Sequence, residues 1–302
     1  MVTTVSDVNN IGTGTRITFV AAGDEHIILP GVSVVSTTGD AIVTSLPDLD
    51  LFVLGTLSGV SLGINGAGNY VEVGASGSII NRLDAMSSGG LFMGGASEIL
   101  INNGEISGSR CIAVLAFDFD SDIVNTGTIS GASGIFYFGA SSGTLTNSGL
   151  ISASVYGDAW FNERYNNAVF VEGANNLITN LATGTLLAVG ETGAGVRFGS
   201  GSGGSSLWNY GHIISAQDFG VNLGGATAGQ AQIRVYNWGT ISGGDGSYSG
   251  SVNDDLLVNR GLLVGDVHTG DGIDTMDNRG GTIEGDVSLG DGNDRYVGTG
   301  GG

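Results

Sequence analysis

Three groups of residues in this chain have types and spacings suited to chemistry. Gly270-Asp271-Gly272-Ile273-Asp274 recurs as Gly290-Asp291-Gly292-Asn293-Asp294. Carboxylates stacked at about 5 Å repel unless a proton or cation neutralises them. Ca2+ suits such a site, because it takes about six to eight oxygens from carboxylates and carbonyls in flexible geometry. The other reading is solvated Asp-Gly turns without metal. The second group is Tyr156-Gly-Asp-Ala-Trp-Phe-Asn-Glu-Arg-Tyr165. Here Asp158, Glu163 and Arg164, with Arg197, could act as acid and base in sugar cleavage, and Trp160 and Tyr165 could stack on sugar rings. A surface loop with aromatics packed on the flank competes with that reading. The third group, Asp118-Phe-Asp-Ser-Asp122, puts three acids on one strand face, as a cation site or a solvated edge.

The elements that position these groups come from a repeat. Asn-x-Gly-x-Ile/Leu begins at Asn102, Asn125, Asn147, Asn209, Asn237 and Asn259, with inserted copies at Asn180 and Asn278. Two residues before these asparagines stand Leu100, Ile123, Leu145, Ile178, Leu207, Val235, Leu257 and Met276. Degenerate copies surround Val53 and Ala75, and a weaker one lies near Leu29-Pro-Gly31. Counted from Val53, the anchors lie 22, 27, 23, 22, 33, 29, 28, 22 and 19 residues apart. That is too short for a βαβ unit, and the local alternation has period two. The spacing predicts one all-β parallel β-solenoid of about eleven coils, roughly 50 Å long, with right-handed crossovers. Residues 1–250 form coils with a loop insertion near 154–168, and 251–302 continue them. Each anchor asparagine shares the inward face of its apolar partner, where stacked carboxamides form a ladder. The glycine two residues later is expected to supply a positive-φ turn.

Composition removes whole classes of function. The nine basic residues are all arginine, and 29 acids bring the net charge to −20. Without lysine there is no Walker-A loop, Schiff base or polybasic patch. The charge argues against nucleic acid or an anionic membrane as partner. No apolar run is long enough to span a bilayer, so membrane insertion is not expected. The single cysteine, Cys111, excludes a disulfide framework, and His26, His212 and His268 lack zinc-site spacing. Met1–Asp7 has neither the basic nor the apolar region of a signal peptide, so any export follows a route that does not read the N-terminus.

The C-terminal segments fit Gly-x-Gly-x-Asp-x-apolar and resemble the RTX (haemolysin-type) calcium-binding repeats of bacterial secreted proteins. The resemblance covers about 30 residues. It implies Ca2+ held between stacked turns by Asp274 and Asp294, with carbonyls from Gly270–Gly272 and Gly290–Gly292 and extra acids at Asp271 and Asp291. The pattern departs at Thr269 and Leu289, where the family has glycine, and supplies one motif per coil instead of two. The acidic, lysine-free composition also looks like that of exoproteins exported by type I secretion.

The function expected is therefore a non-enzymatic secreted or cell-surface structural module of an exoprotein, matrix fibre or adhesin, stabilised by Ca2+. A β-helix polysaccharide lyase or hydrolase, or a carbohydrate-binding module, using the 156–165 loop is the alternative. Unpaired backbone at the last coil leads us to expect further repeats after Tyr296, or end-to-end association with another copy.

Overall fold

The computed structural model describes residues 1–81, 90–108, 112–117, 120–138, 141–154, 166–190 and 192–298. All regular structure in them is β-strand, in three parallel sheets of 13, 12 and 11 strands. From Glu25–Ile28 onward each strand pairs with the strand three elements later, so one coil contributes one strand to each sheet, whereas the N-terminal coil gives strands to the first two sheets only. The chain is a parallel β-solenoid of about twelve turns. The turn beyond the expected eleven comes from the N-terminus, where Thr3–Ser6 and Asn10–Gly12 already pair with Glu25–Ile28 and Ser33–Ser36.

No coil can bury its apolar residues alone, so the core is built from columns that run coil to coil. In the first sheet, Leu100, Ile123, Leu145, Ile178, Leu207, Val235, Leu257 and Met276 lie in register and are buried. The second sheet adds an aliphatic column from Val34 and Leu57 to Ile241 and Leu263. The third adds Ile42, Leu62, Leu91, Val114, Ile135, Val169, Val196 and Val221. Tyr248 then takes the next place in that column.

The asparagine ladder is continuous. From Asn102 through Asn125, Asn147, Asn180, Asn209, Asn237 and Asn259 to Asn278, each Nδ2 donates to the Oδ1 of the next coil at 2.7–2.9 Å. The second amide hydrogen finds turn carbonyls, as when Asn125 donates to Gly127 and Leu150. A buried carboxamide costs free energy unless bonded, and here donor and acceptor are both used.

Three expectations are corrected. The motif glycine is not a positive-φ residue in the regular coils: neither Gly127 nor Gly149 is in that region. Glycine is required instead by close approach, because a methyl group on Gly127 would collide with the Gly104 carbonyl and one on Gly149 with the Gly127 carbonyl. Val73, not Ala75, lies in the anchor column, paired with both Val53 and Asn102. Two extra residues before Gly77 cause the shift, as two before Gly184 do after Asn180. Finally, Asp118-Phe-Asp-Ser-Asp122 is not one strand face. Asp120 sits in a turn at φ 61°, Asp122 opens the strand Asp122–Asn125, and Asp118 lies outside the described residues.

Candidate functional site

A second column, polar in most coils, runs along the corner that precedes the first-sheet strands. In several coils a backbone N–H there donates to the side-chain oxygen of the equivalent residue one coil on. Leu49 donates to Asn69 Oδ1, Gly143 to Asn176 Oδ1 and Asn176 to Ser205 Oγ. In the last coils carboxylates occupy this column. Asp255 N donates to Asp274 Oδ1 at 2.8 Å, and Asp274 N donates to Asp294 Oδ1 at 2.9 Å. Asp255 Oδ2 accepts from Ser251 N at 2.7 Å.

The column is short of donors at this end. Asp255 and Asp274 are 2 % and 1 % exposed, yet Asp255 Oδ1 and Asp274 Oδ2 have no hydrogen-bond partner. The hydroxyl of fully buried Tyr248 also lacks one, whereas that of Tyr137 donates to the Thr144 carbonyl at 3.0 Å. Burial pushes the Asp255 carboxyl up to about 7 and the Asp274 carboxyl up to about 6. Neighbouring charge reinforces both shifts, from Asp274 and Asp254 on Asp255, and from Asp294 and Asp254 on Asp274. The Tyr248 hydroxyl is pushed up as well, by burial and then by the charges of Asp255 and Asp274.

Asp24, in the same column near the other end, shows why. It accepts backbone N–H bonds from Ala21 and Val2, and a further one from Val20, and these hold its carboxyl below the usual range. At Asp24 the backbone N–H bonds outweigh a slight desolvation, whereas at Asp255 and Asp274 desolvation is the largest effect and outweighs the hydrogen bonds they accept. The Asp255–Asp274 pair therefore favours a proton, or a cation, on its free oxygens.

The expected calcium ligands are divided by this geometry. Asp274 faces inward, Asp294 is half-buried at the last coil, and Asp271 and Asp291 are exposed. The glycines Gly270, Gly272, Gly290 and Gly292 all have positive φ. The two turns stack as expected, with Asp271 bridged to Asp291 and Gly272 N donating to the Asp291 carbonyl at 2.9 Å. Among the described residues no three His, Cys, Asp or Glu side chains converge as a metal cluster.

Asp255 and Tyr248 were not singled out from sequence. Asp255 was legible, because it stands four residues before Asn259 as Asp274 stands before Asn278. No pattern in sequence distinguishes Tyr248 from the aliphatic residues of its column.

Asp158, Trp160, Glu163, Arg164 and Tyr165 lie outside the described residues, as does Cys111. Arg197, expected beside those acids, occupies the strand Val196–Phe198, with its guanidinium 3.8 Å from the Asp218 carboxylate. Sequence reasoning also missed an aromatic row on the outer face of the first sheet: Trp208, Tyr210, Tyr236 and Trp238. Its signal is an aromatic on each side of two successive anchors, in Trp208-Asn-Tyr210 and Tyr236-Asn-Trp238. No protein-family model, curated protein or solved structure matches the chain.

Proposed function

We propose that this solenoid is a non-enzymatic structural module of a secreted or cell-surface exoprotein, matrix fibre or adhesin, and that Ca2+ stabilises its C-terminal coils. One observation carries the calcium reading: two buried carboxylate oxygens without partners, Asp255 Oδ1 and Asp274 Oδ2, on successive coils. A divalent cation would satisfy both and remove their repulsion. Asp255 and Asp274 would hold it, with Asp294 at the edge and carbonyls of the Gly270–Gly272 and Gly290–Gly292 turns completing the oxygen set. Asp271 and Asp291 would add outer negative charge that favours the cation. The structural reading rests on the uninterrupted core columns and ladder, and we assign no glycan cleavage to the chain.

The test is hydrogen exchange of residues 255–297 with calcium, with chelator, and with calcium in Asp255→Ala and Asp274→Ala. Binding only the folded state at a hundredfold excess over Kd stabilises it by about 2.7 kcal/mol. The expected result is protection that appears with calcium and is lost in both variants. Equal protection with calcium and chelator would mean these motifs are only turns. Product release from alginate or pectin, abolished by Glu163→Gln, would overturn the non-enzymatic reading.

A further inference from the structure

The outer face of the first sheet is segregated by charge. Its outward positions carry Glu25, Asp50, Glu72 and Asp122 in the N-terminal coils. From the strand Thr144–Asn147 to Leu256–Asn259, no outward strand position is acidic. Within that stretch the only charge is Arg234. In a chain of net charge −20, this is an electrically bare strip.

The aromatic row occupies it. Trp208 and Trp238 stack with ring centres 5.5 Å apart and planes 16° apart, and Tyr210 and Trp238 at 5.1 Å and 13°. Tyr236 joins Trp208 at 4.6 Å and Trp238 at 6.2 Å. Tyr210 and Trp238 are 39 % and 41 % exposed. The rings cover one another along the coil axis, so their free faces lie at the end of the stack. There the preceding coil places Thr179 in register with Trp208. Leu177, Thr179, Trp208 and Tyr210 line the resulting open slot of about 260 Å³.

We infer that this slot binds an uncharged pyranose residue of a polysaccharide, stacked on Trp208 and Tyr210. A pyranose offers a flat C–H face to an aromatic ring while its hydroxyls stay at the rim. The rim here supplies hydroxyls from Thr179, Tyr210 and the neighbouring outward Ser206. Charge decides the class: no carboxylate or cation lines the slot, and the net negative chain repels acidic polymers. The slot opens to solvent, so sugars on either side of the stacked one can leave it. This inference is independent of the calcium site and of the 156–165 loop.

The experiment is affinity electrophoresis of the full chain through gels containing neutral polysaccharides (a mixed-linkage β-glucan, a galactomannan, a xyloglucan and dextran) or acidic ones (alginate and polygalacturonate). The variants are Trp208→Ala, Thr179→Trp, which fills the slot, and Tyr70→Ala on the acidic half of the same face. Far-UV circular dichroism confirms folding of each, and light scattering gives the mass. The expected result is retardation by a neutral polysaccharide. Stacked ring contacts by analogy predict that Trp208→Ala weakens it about fivefold or more, with a similar loss in Thr179→Trp and none in Tyr70→Ala. No retardation by any neutral polysaccharide, stronger retardation by the acidic ones, or an equal loss in Tyr70→Ala would each overturn the inference. A dimer that dissociates in Trp208→Ala would also overturn it, by assigning the slot to a second copy.

Discussion

Replacing Asn147 with leucine tests the ladder at an interior rung. Asn147 Nδ2 donates to Asn180 Oδ1 at 2.8 Å and to the Gly149 carbonyl at 3.1 Å, and Asn147 Oδ1 accepts from Asn125 Nδ2 at 2.8 Å. Leucine keeps the branched shape but offers no polar atom, and its methyl groups need more room than the 2.8 Å contacts they replace. Asn125 would keep carbonyl partners at Gly127 and Leu150, and the Gly149 carbonyl would keep Thr185 N. Asn180 Oδ1 would lose its donor in a dry interior. One stranded acceptor and the lost bonds together give about 1–3 kcal/mol of destabilisation. Asn278→Leu is the internal comparison. Asn278 ends the ladder, is 9 % exposed, and its own donation reaches Tyr296 Oη only at 3.5 Å. Asn259, which donates to it, would retain the Thr282 carbonyl at 3.1 Å. Its loss should therefore cost under about 1 kcal/mol. Because solenoid coils open in local units, the assay is native-state hydrogen exchange over Thr144–Asn147 and Leu177–Asn180, supported by urea unfolding. Equal effects for the two variants, or no change in Asn147→Leu, would refute the claim that the ladder carries interior stability.

In chelator, stability should fall as pH rises from about 4 to 8. Asp255 and Asp274 are raised from 3.8 to about 7 and about 6, so their contribution is full below 3.8 and lost as pH passes 6 to 7. Thermal melts should show that fall, and Asp255→Asn should flatten it; a profile unchanged in the variant would assign the trend to overall charge instead. Tyr137→Phe should cost about 1 kcal/mol, because it deletes the bond to Thr144, whereas Tyr248→Phe should be neutral or stabilising in chelator. Urea midpoints compare the two, and an equal loss would place an unseen partner on Tyr248. Gly149→Ala should destabilise far beyond the roughly 1 kcal/mol range of glycine entropy effects, since its methyl group meets the Gly127 carbonyl. Tolerance of that alanine would refute the close-approach reading.

Much of the fold was legible because a solenoid writes its geometry into one dimension. Period-two alternation places Leu100 and Asn102 on the same side, and repetition places Asn125 above Asn102. What failed to read was set by contacts between coils. Gly77 points to Ala75 as the anchor in sequence, and only the register of Tyr70–Val73 against Asp50–Val53 and Ile99–Asn102 selects Val73. The glycine after each asparagine looked like a turn former, because composition carries no information about a carbonyl one coil away. The acids of the last coils were visible as a motif. Their division into buried Asp274 and exposed Asp271 depends on which of them falls in the corner column.

The two polar columns differ in one chemical respect, and that difference locates the unstable part of the molecule. A carboxamide is donor and acceptor at once, so a column of asparagines can satisfy itself over any number of coils, each Nδ2 meeting the next Oδ1. An ionised carboxylate only accepts. Stacked aspartates must take their donors from backbone, and the corner geometry supplies Asp274 and Asp294 with one N–H each from the preceding coil. A single donor leaves oxygens unmet, as at Asp255 Oδ1 and Asp274 Oδ2. Earlier coils place asparagine, serine or an apolar residue in that corner, except that Glu98 stands there and accepts from the Asn69 side chain, and Asp24 gathers three N–H groups. The final coils combine the acid corner with the fewest stacked neighbours. Their stability is thus the part most open to protons below the raised carboxyl range, and, on the calcium reading we propose, to divalent cations above it.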